Sequence, residues 1–389
     1  MYARVVAVVA LAAVALVVVV GASSAFGAVR DLLLGTTAGS RIAFTSFRNG
    51  SFDLYVMNAD GSKQRRLTPE RSTRPRVLSP AWSPDGRRIA FEGGRGACVL
   101  DYHYVGGRNA GTGDVDIVVA NVDGNGLLVV TDGPGVDCAP VWSPDGRKIA
   151  FQRSLGHKEG DRVVGVDYDV YVVNTDGSEE RNLTDDALSV RPMWSPDGQE
   201  IAFWSGPDGA GGIYVMHGDG SDRRLVARNH GLVAWSPDGK KILLLRGGHQ
   251  VCRAPCLGGG GSTKASVVVA NVDGSGLRNL TRIWAGNGST PSWSPDGRKI
   301  VFVNDRAGNP EIYVMNADGS GQRNLSRHPG HDSDPEWSPD GKRIAFTTKR
   351  EGNFETYVMN ADGSDQRNLT RNPAPDRYPV WSPGRKHGG

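Results

Sequence analysis

An excess of charge is the first thing this chain lacks: 45 basic residues face 42 acidic ones across 389 positions, a net of +3. No Lys/Arg run exceeds a few residues, so nothing here points to a nucleic-acid partner. A Gly-x-Ser-x-Gly elbow is also missing, and with it the strained turn that presents a hydrolase serine; only eight residues follow Trp381, too few for a hydrolase domain. Gly258–Lys264 is glycine-rich but lacks the Gly-Lys-Ser/Thr ending of a phosphate loop, so it reads as a flexible loop. No cofactor and no metal ligand set is assigned. Apolar runs are short except for one, the sixteen residues Val5–Val20 behind Arg4.

That run, followed by the small residues of Gly21–Gly27, reads as a targeting segment over residues 1–27. It is either cleaved after Ala25 or Gly27 or kept as a signal anchor, the only membrane attachment expected. No cysteine lies near the cleavage region, which argues against a lipid anchor. The rest of the chain is therefore expected outside the cytoplasm: a linker over 28–39, one repeat domain over 40–384 and a tail over 385–389. Cysteine is scarce, at four, and export makes Cys98, Cys138, Cys252 and Cys256 expected disulfides. Three pairings are open; a local Cys252–Cys256 bridge is the simplest, leaving Cys98 with Cys138.

What the chain has in plenty is turn residues, 53 Gly and 22 Pro, at fixed offsets. Trp-Ser-Pro-Asp-Gly begins at Trp82, Trp142, Trp194, Trp235, Trp293 and Trp337, and returns truncated at Trp381. An apolar run follows each full copy, such as Ile344-Ala345-Phe346, then a strand and an Asn-x-Asp-Gly turn, then a short basic strand. Each unit reads as four antiparallel strands, with Pro-Asp-Gly and Asn-x-Asp-Gly as the hairpin turns. The Asn-x-Asp-Gly-Ser turns look like the start of a calcium loop but lack its downstream Glu, so a turn is the reading. The seven Trp read as core. Arg65, Arg66, Arg223, Arg224, Arg323 and Arg367 read as guards of the outer sheet edges. Near the N-terminus Arg41–Phe44 opens a copy without its first strand, and Tyr378–Trp381 is a first strand with nothing after it. Pairing the two closes a ring, so the expected fold is all-β, a seven-bladed β-propeller of four-stranded antiparallel blades.

These repeats, over residues 40–384, resemble the WD-like propeller repeats of the TolB family, shared with the propeller domains of prolyl-oligopeptidase-type peptidases. TolB itself resembles a six-bladed propeller with an added N-terminal α/β domain. The count here is seven, without such a domain. The resemblance extends to seven-bladed oligogalacturonate lyases, which gather histidine ligands at the channel.

Strand direction assigns the loops to faces. The uniform Pro-Asp-Gly and Asp-Gly-Ser turns share one face. All the long insertions, near 92–114, 152–167 and 246–265, share the other, where binding is expected. All four cysteines and His103, His157, His230, His249, His328 and His331 map to that second face. Counting back from each Trp brings Asp137, Arg191, His230, His331, Asp332, Asp334, Asp376 and Tyr378 to the channel mouth, either as ligand-contacting groups or as caps of the turn into the first strand. The expected function is a non-enzymatic scaffold that binds a protein or peptide of the cell envelope or the exterior. The alternative is a carbohydrate-active or glycan-binding propeller using His and Asp of the same face.

Overall fold

The computed structural model describes residues 40–68, 80–94, 115–159, 162–186, 188–206, 211–246, 266–281, 291–306 and 308–384. Among these the regular structure is β-strand throughout, in antiparallel sheets. One four-stranded sheet is ordered Asp376–Trp381, Arg41–Ser46, Asp53–Asn58, Arg65–Arg66, so the two ends of the chain share a sheet. Four more sheets follow chain order from first strands Ser189–Trp194, His230–Trp235, Ser292–Trp293 and Asp332–Trp337. An eight-stranded sheet consists of two such four-strand units, led by Ala81–Trp82 and Val136–Trp142 and joined where Val115 and Val136 pair in parallel.

Second strands are apolar without alternation because both of their faces are covered. In Arg41–Ser46, Ile42 and Phe44 pack on Ala345, Val358 and Leu369 of one neighbouring sheet, while Ala43 packs toward Trp82, Ile89 and Phe91 of the other. Large side chains thus meet a small one at this sheet-to-sheet contact, and Phe44, Phe151, Phe203, Phe302 and Phe346 are all fully buried or nearly so. Four of the seven Trp indoles tie neighbouring first strands together. Trp82 donates to the Val380 carbonyl (3.0 Å), Trp142 to Ala81 (3.0 Å), Trp235 to Met193 (3.0 Å) and Trp381 to Glu336 (3.2 Å). In each pair the acceptor is the residue just before the neighbouring sheet's own Trp.

The turn residues bond to one another. In Ser143–Gly146, the Ser143 hydroxyl donates to Asp145 Oδ1 (2.6 Å), which also accepts the Arg147 amide (3.0 Å), holding the Asp145 carboxyl below its usual range. Across the other hairpin Asn360 Nδ2 donates to Ser364 Oγ (2.9 Å), and Asp362 takes the Ser364 amide (2.9 Å). Local side-chain bonds of this kind account for the motif without any ion.

Candidate functional site

Four of the first strands carry a bulge three residues before their Trp. Ala139, Arg191, Asp334 and Tyr378 have φ of 53°, 56°, 51° and 56°, left-handed values that L side chains adopt at a cost of about 1–3 kcal/mol. The register slips at the same place in the strands led by Val136, Ser189, Asp332 and Asp376. In three of them the neighbouring four-strand unit supplies an acceptor for the displaced amide. Ala139 N donates to Glu92 Oε1 (3.0 Å), Arg191 N to Gln152 Oε1 (3.1 Å) and Tyr378 N to Thr347 Oγ1 (3.3 Å). Each acceptor is the residue after the Phe of a second strand.

Five residues before Trp, the geometry is different. Asp137, Asp332 and Asp376 are fully buried, each against an arginine of its own sheet. Arg153 grips Asp137 with two bonds (2.6 and 2.7 Å), Arg350 reaches Asp332 (3.1 Å) and Arg48 reaches Asp376 (2.8 Å). Each guanidinium also lies over two rings of its blade, Arg153 at 4.7 Å from the Tyr171 centroid and 5.3 Å from Phe151, and Arg48 at 5.0 Å from Tyr55. Burial still pushes the Asp137 and Asp376 carboxyls up, against the pull of their arginines. These three acids are clamps that hold the loop entering each first strand. His230 is buried too: its Nδ1–H donates to the Arg228 carbonyl (2.5 Å), and burial disfavours its protonation.

Asp334 and Tyr378 do come together, at the seam between the sheet led by Asp332–Trp337 and the sheet that joins the chain ends, while His331 lies at the same seam beside Arg377. Ser333 Oγ donates to Asp334 Oδ2 (2.9 Å), and burial raises the Asp334 carboxyl. Its charge in turn adds to the burial that raises the Tyr378 phenol. Arg377 stacks on the Phe354 ring (3.4 Å to the centroid), and His331 meets the same ring edge-on (6.0 Å). Two residues further along the strand from Asp334, Glu336 carries a carboxyl raised to about 7 by burial alone. Among the described residues this carboxylate has neither a hydrogen bond nor an ion pair. The residues at the same place in the other first strands are Ala81, Val141, Met193, Ala234, Ser292 and Val380, all uncharged.

The model of the TolB beta propeller domain family, built on these PD40 repeats, matches residues 77–254 and 261–387. The chain belongs to the TolB β-propeller family. A TolB homolog of Chlorobium luteolum is 32% identical over 179 residues, 46% of this chain and 34% of that protein. An uncharacterized peptidase, YuxL of Bacillus subtilis, is 28% identical over 255 residues, 61% of this chain and 32% of that protein. The chain thus spans about a third of the length of these curated relatives. Among solved structures, TolB from Acinetobacter baumannii superposes with a TM-score of 0.52 at 19% identity, over 92% of this chain and 70% of that one. An oligogalacturonate lyase in complex with manganese gives 0.62 at 18% identity, over 83% and 86% of the two chains. At such identities the likeness is one of fold.

Two features of the candidate site in this TolB-family chain lie outside the expectations from its first strands. Nothing in the repeat pattern marks Glu336, which sits next to a Trp that reads as core. The repeats do carry a signal of the arginine clamps: where Asp stands five before Trp, an Arg stands two or four after the Phe, as in Arg48, Arg153 and Arg350. Ser189 and His230 occupy the equivalent place in two other sheets without an arginine clamp of this kind. Cys138 is disulfide-bonded, while Cys98, Cys252 and Cys256 lie outside the described residues, as do His103 and His249. Among the described residues no group of three or more His, Cys, Asp or Glu is placed to hold a metal, and no helix is long and apolar enough to cross a membrane.

Proposed function

We propose that this chain is an exported seven-bladed propeller that binds a cationic segment of a protein or peptide at the mouth bearing Asp334 and Glu336. The observation that carries the reading is Glu336: a half-buried carboxyl on a first strand, with no internal partner, among uncharged equivalents. A carboxylate half removed from water without a counter-charge bears part of the cost of a buried charge, and a cation from outside would relieve it. Arg191 on another first strand and Arg377 beside Tyr378 set a positive border, which favours one orientation of the bound segment.

The seven-blade count is supported by the Trp-Ser-Pro-Asp-Gly turns, each seated against the one before. A Cβ on Gly146 would lie 3.6 Å from Pro84, and one on Gly198 3.3 Å from Pro144. The series continues through Gly239, Gly297, Gly341 and Gly384 and returns to its start with Gly86 at Pro383. Export through residues 1–27 would place this scaffold and its partner in the envelope or outside the cell. Asp137, Asp332 and Asp376 serve the scaffold and not the ligand, because each is buried and held by an arginine of its own sheet. The glycan-active alternative gains no separate support, since His230 and His331 stand on different sheets.

The test is calorimetric titration with a lysine-rich and a glutamate-rich peptide of equal length. The lysine-rich peptide is expected to bind, and Asp334→Asn with Glu336→Gln to weaken it roughly tenfold or more, about 1.4 kcal/mol. Equal affinity for both peptides, or an unchanged affinity in the double variant, would contradict the reading.

A further inference from the structure

Outer sheet edges in this chain are guarded by arginine, with one exception. The fourth strands contain Arg65–Arg66, Arg181–Asn182, Arg224–Arg228, Arg278–Asn279, Arg323–Asn324 and Arg367–Asn368, but one of them is Leu128–Val129. Leu127, Leu128 and Val129 are 45%, 42% and 56% exposed, three of the five large hydrophobic residues exposed among those described. Such an edge invites another strand. The hydrogen-bonding direction is set by Val130, whose amide turns inward to the Ile117 carbonyl (2.8 Å). By alternation the N–H and C=O of Val129 and of Leu127 point outward, beyond the last strand of the sheet.

We propose that this edge pairs antiparallel with the same edge of a second copy of the chain. Charge selects the occupant. Any other edge of the molecule would set an arginine against the apolar strand, whereas a second Leu127–Val129 brings no charge into the ladder. A two-fold pairing that matches outward groups puts Leu127 opposite the partner's Val129 and Leu128 opposite itself. In that register Asp123 and Asp132, the charges flanking the strand, face Gly133 and Gly124 of the other copy, so like charges are not opposed. The strand is short, and the association is correspondingly weak and concentration-dependent.

Sedimentation of the full chain over a range of concentrations tests this. Wild type is expected to shift from monomer to dimer, and Leu128→Arg with Val129→Asn, which installs the Arg-Asn of four other edges, to weaken that shift at least tenfold while leaving the melting temperature within a few degrees. A Leu128→Cys chain should form a disulfide-linked dimer on oxidation, and Leu277→Cys, on another edge and 48% exposed, should not. A chain that stays monomeric throughout overturns the proposal. So does dimerisation unaffected by the double variant, as would follow from association through the N-terminal apolar run.

Discussion

At the scale of single residues, the decisive contrast is between carboxyls that are paired and one that is not. Asp137 has Arg153 on both oxygens, and Arg153 also reaches Glu180 (2.5 Å). Arg153→Ala leaves Asp137 buried without its counter-charge and is expected to cost about 3–5 kcal/mol, measured as lost stability in urea. Glu336 behaves the other way. Its carboxyl rises from an ordinary 4.5 to about 7, so between those values the folded chain holds a proton the unfolded chain has lost. The stabilisation is complete below 4.5 and disappears as pH rises through about 7, because the folded state binds more protons over that window. Glu336→Gln should flatten this slope and raise stability at pH 8, by up to about 3 kcal/mol less the screening of a partly exposed group. A melting curve at pH 8 no better than wild type would count against the assignment. Binding of a cationic segment should strengthen over the same rise in pH, as the carboxylate forms.

At the scale of elements, the Asn-x-Asp-Gly turns do two things, reversing the chain and resting on the adjacent sheet, and the two can be separated. Gly363 has φ of 91°, and a Cβ there would come 2.8 Å from the Leu325 carbonyl of the adjacent sheet. Gly352 has φ of 97° with nothing within 4 Å. Alanine at either meets the left-handed penalty, about 1 kcal/mol, but only Gly363→Ala also forces two sheets apart. The expected losses are about 1 kcal/mol at Gly352 and about 3 kcal/mol at Gly363; equal losses would mean that the sheets do not rest on these turns. Strands and turns were legible in the sequence because the repeat shows each one several times. The bulge three residues before Trp was not. Ala139, Arg191, Asp334 and Tyr378 share no side-chain chemistry, since the conformation is supported by polar groups on the adjacent sheet, Glu92, Gln152 and Thr347 among them.

At the scale of the whole molecule, the candidate site depends on closure. Asp334 and Glu336 face the strand Asp376–Trp381 across a seam that exists only because that strand joins the sheet begun by Arg41–Ser46. The complementary fragments at the two ends made this pairing legible, through Arg41–Phe44 without a first strand and Tyr378–Trp381 without a second. The state of the acids at the mouth was not legible, because charge counted along first strands says nothing of the arginines folded over them from second strands. The most direct measurement is hydrogen–deuterium exchange over residues 41–46, in the full chain and in one ending at residue 375. In the full chain these amides lie between two strands and should exchange slowly; without residues 376–381 their protection should fall sharply. Identical exchange in the two chains would mean that the ends do not meet, and the site at the seam would go with them.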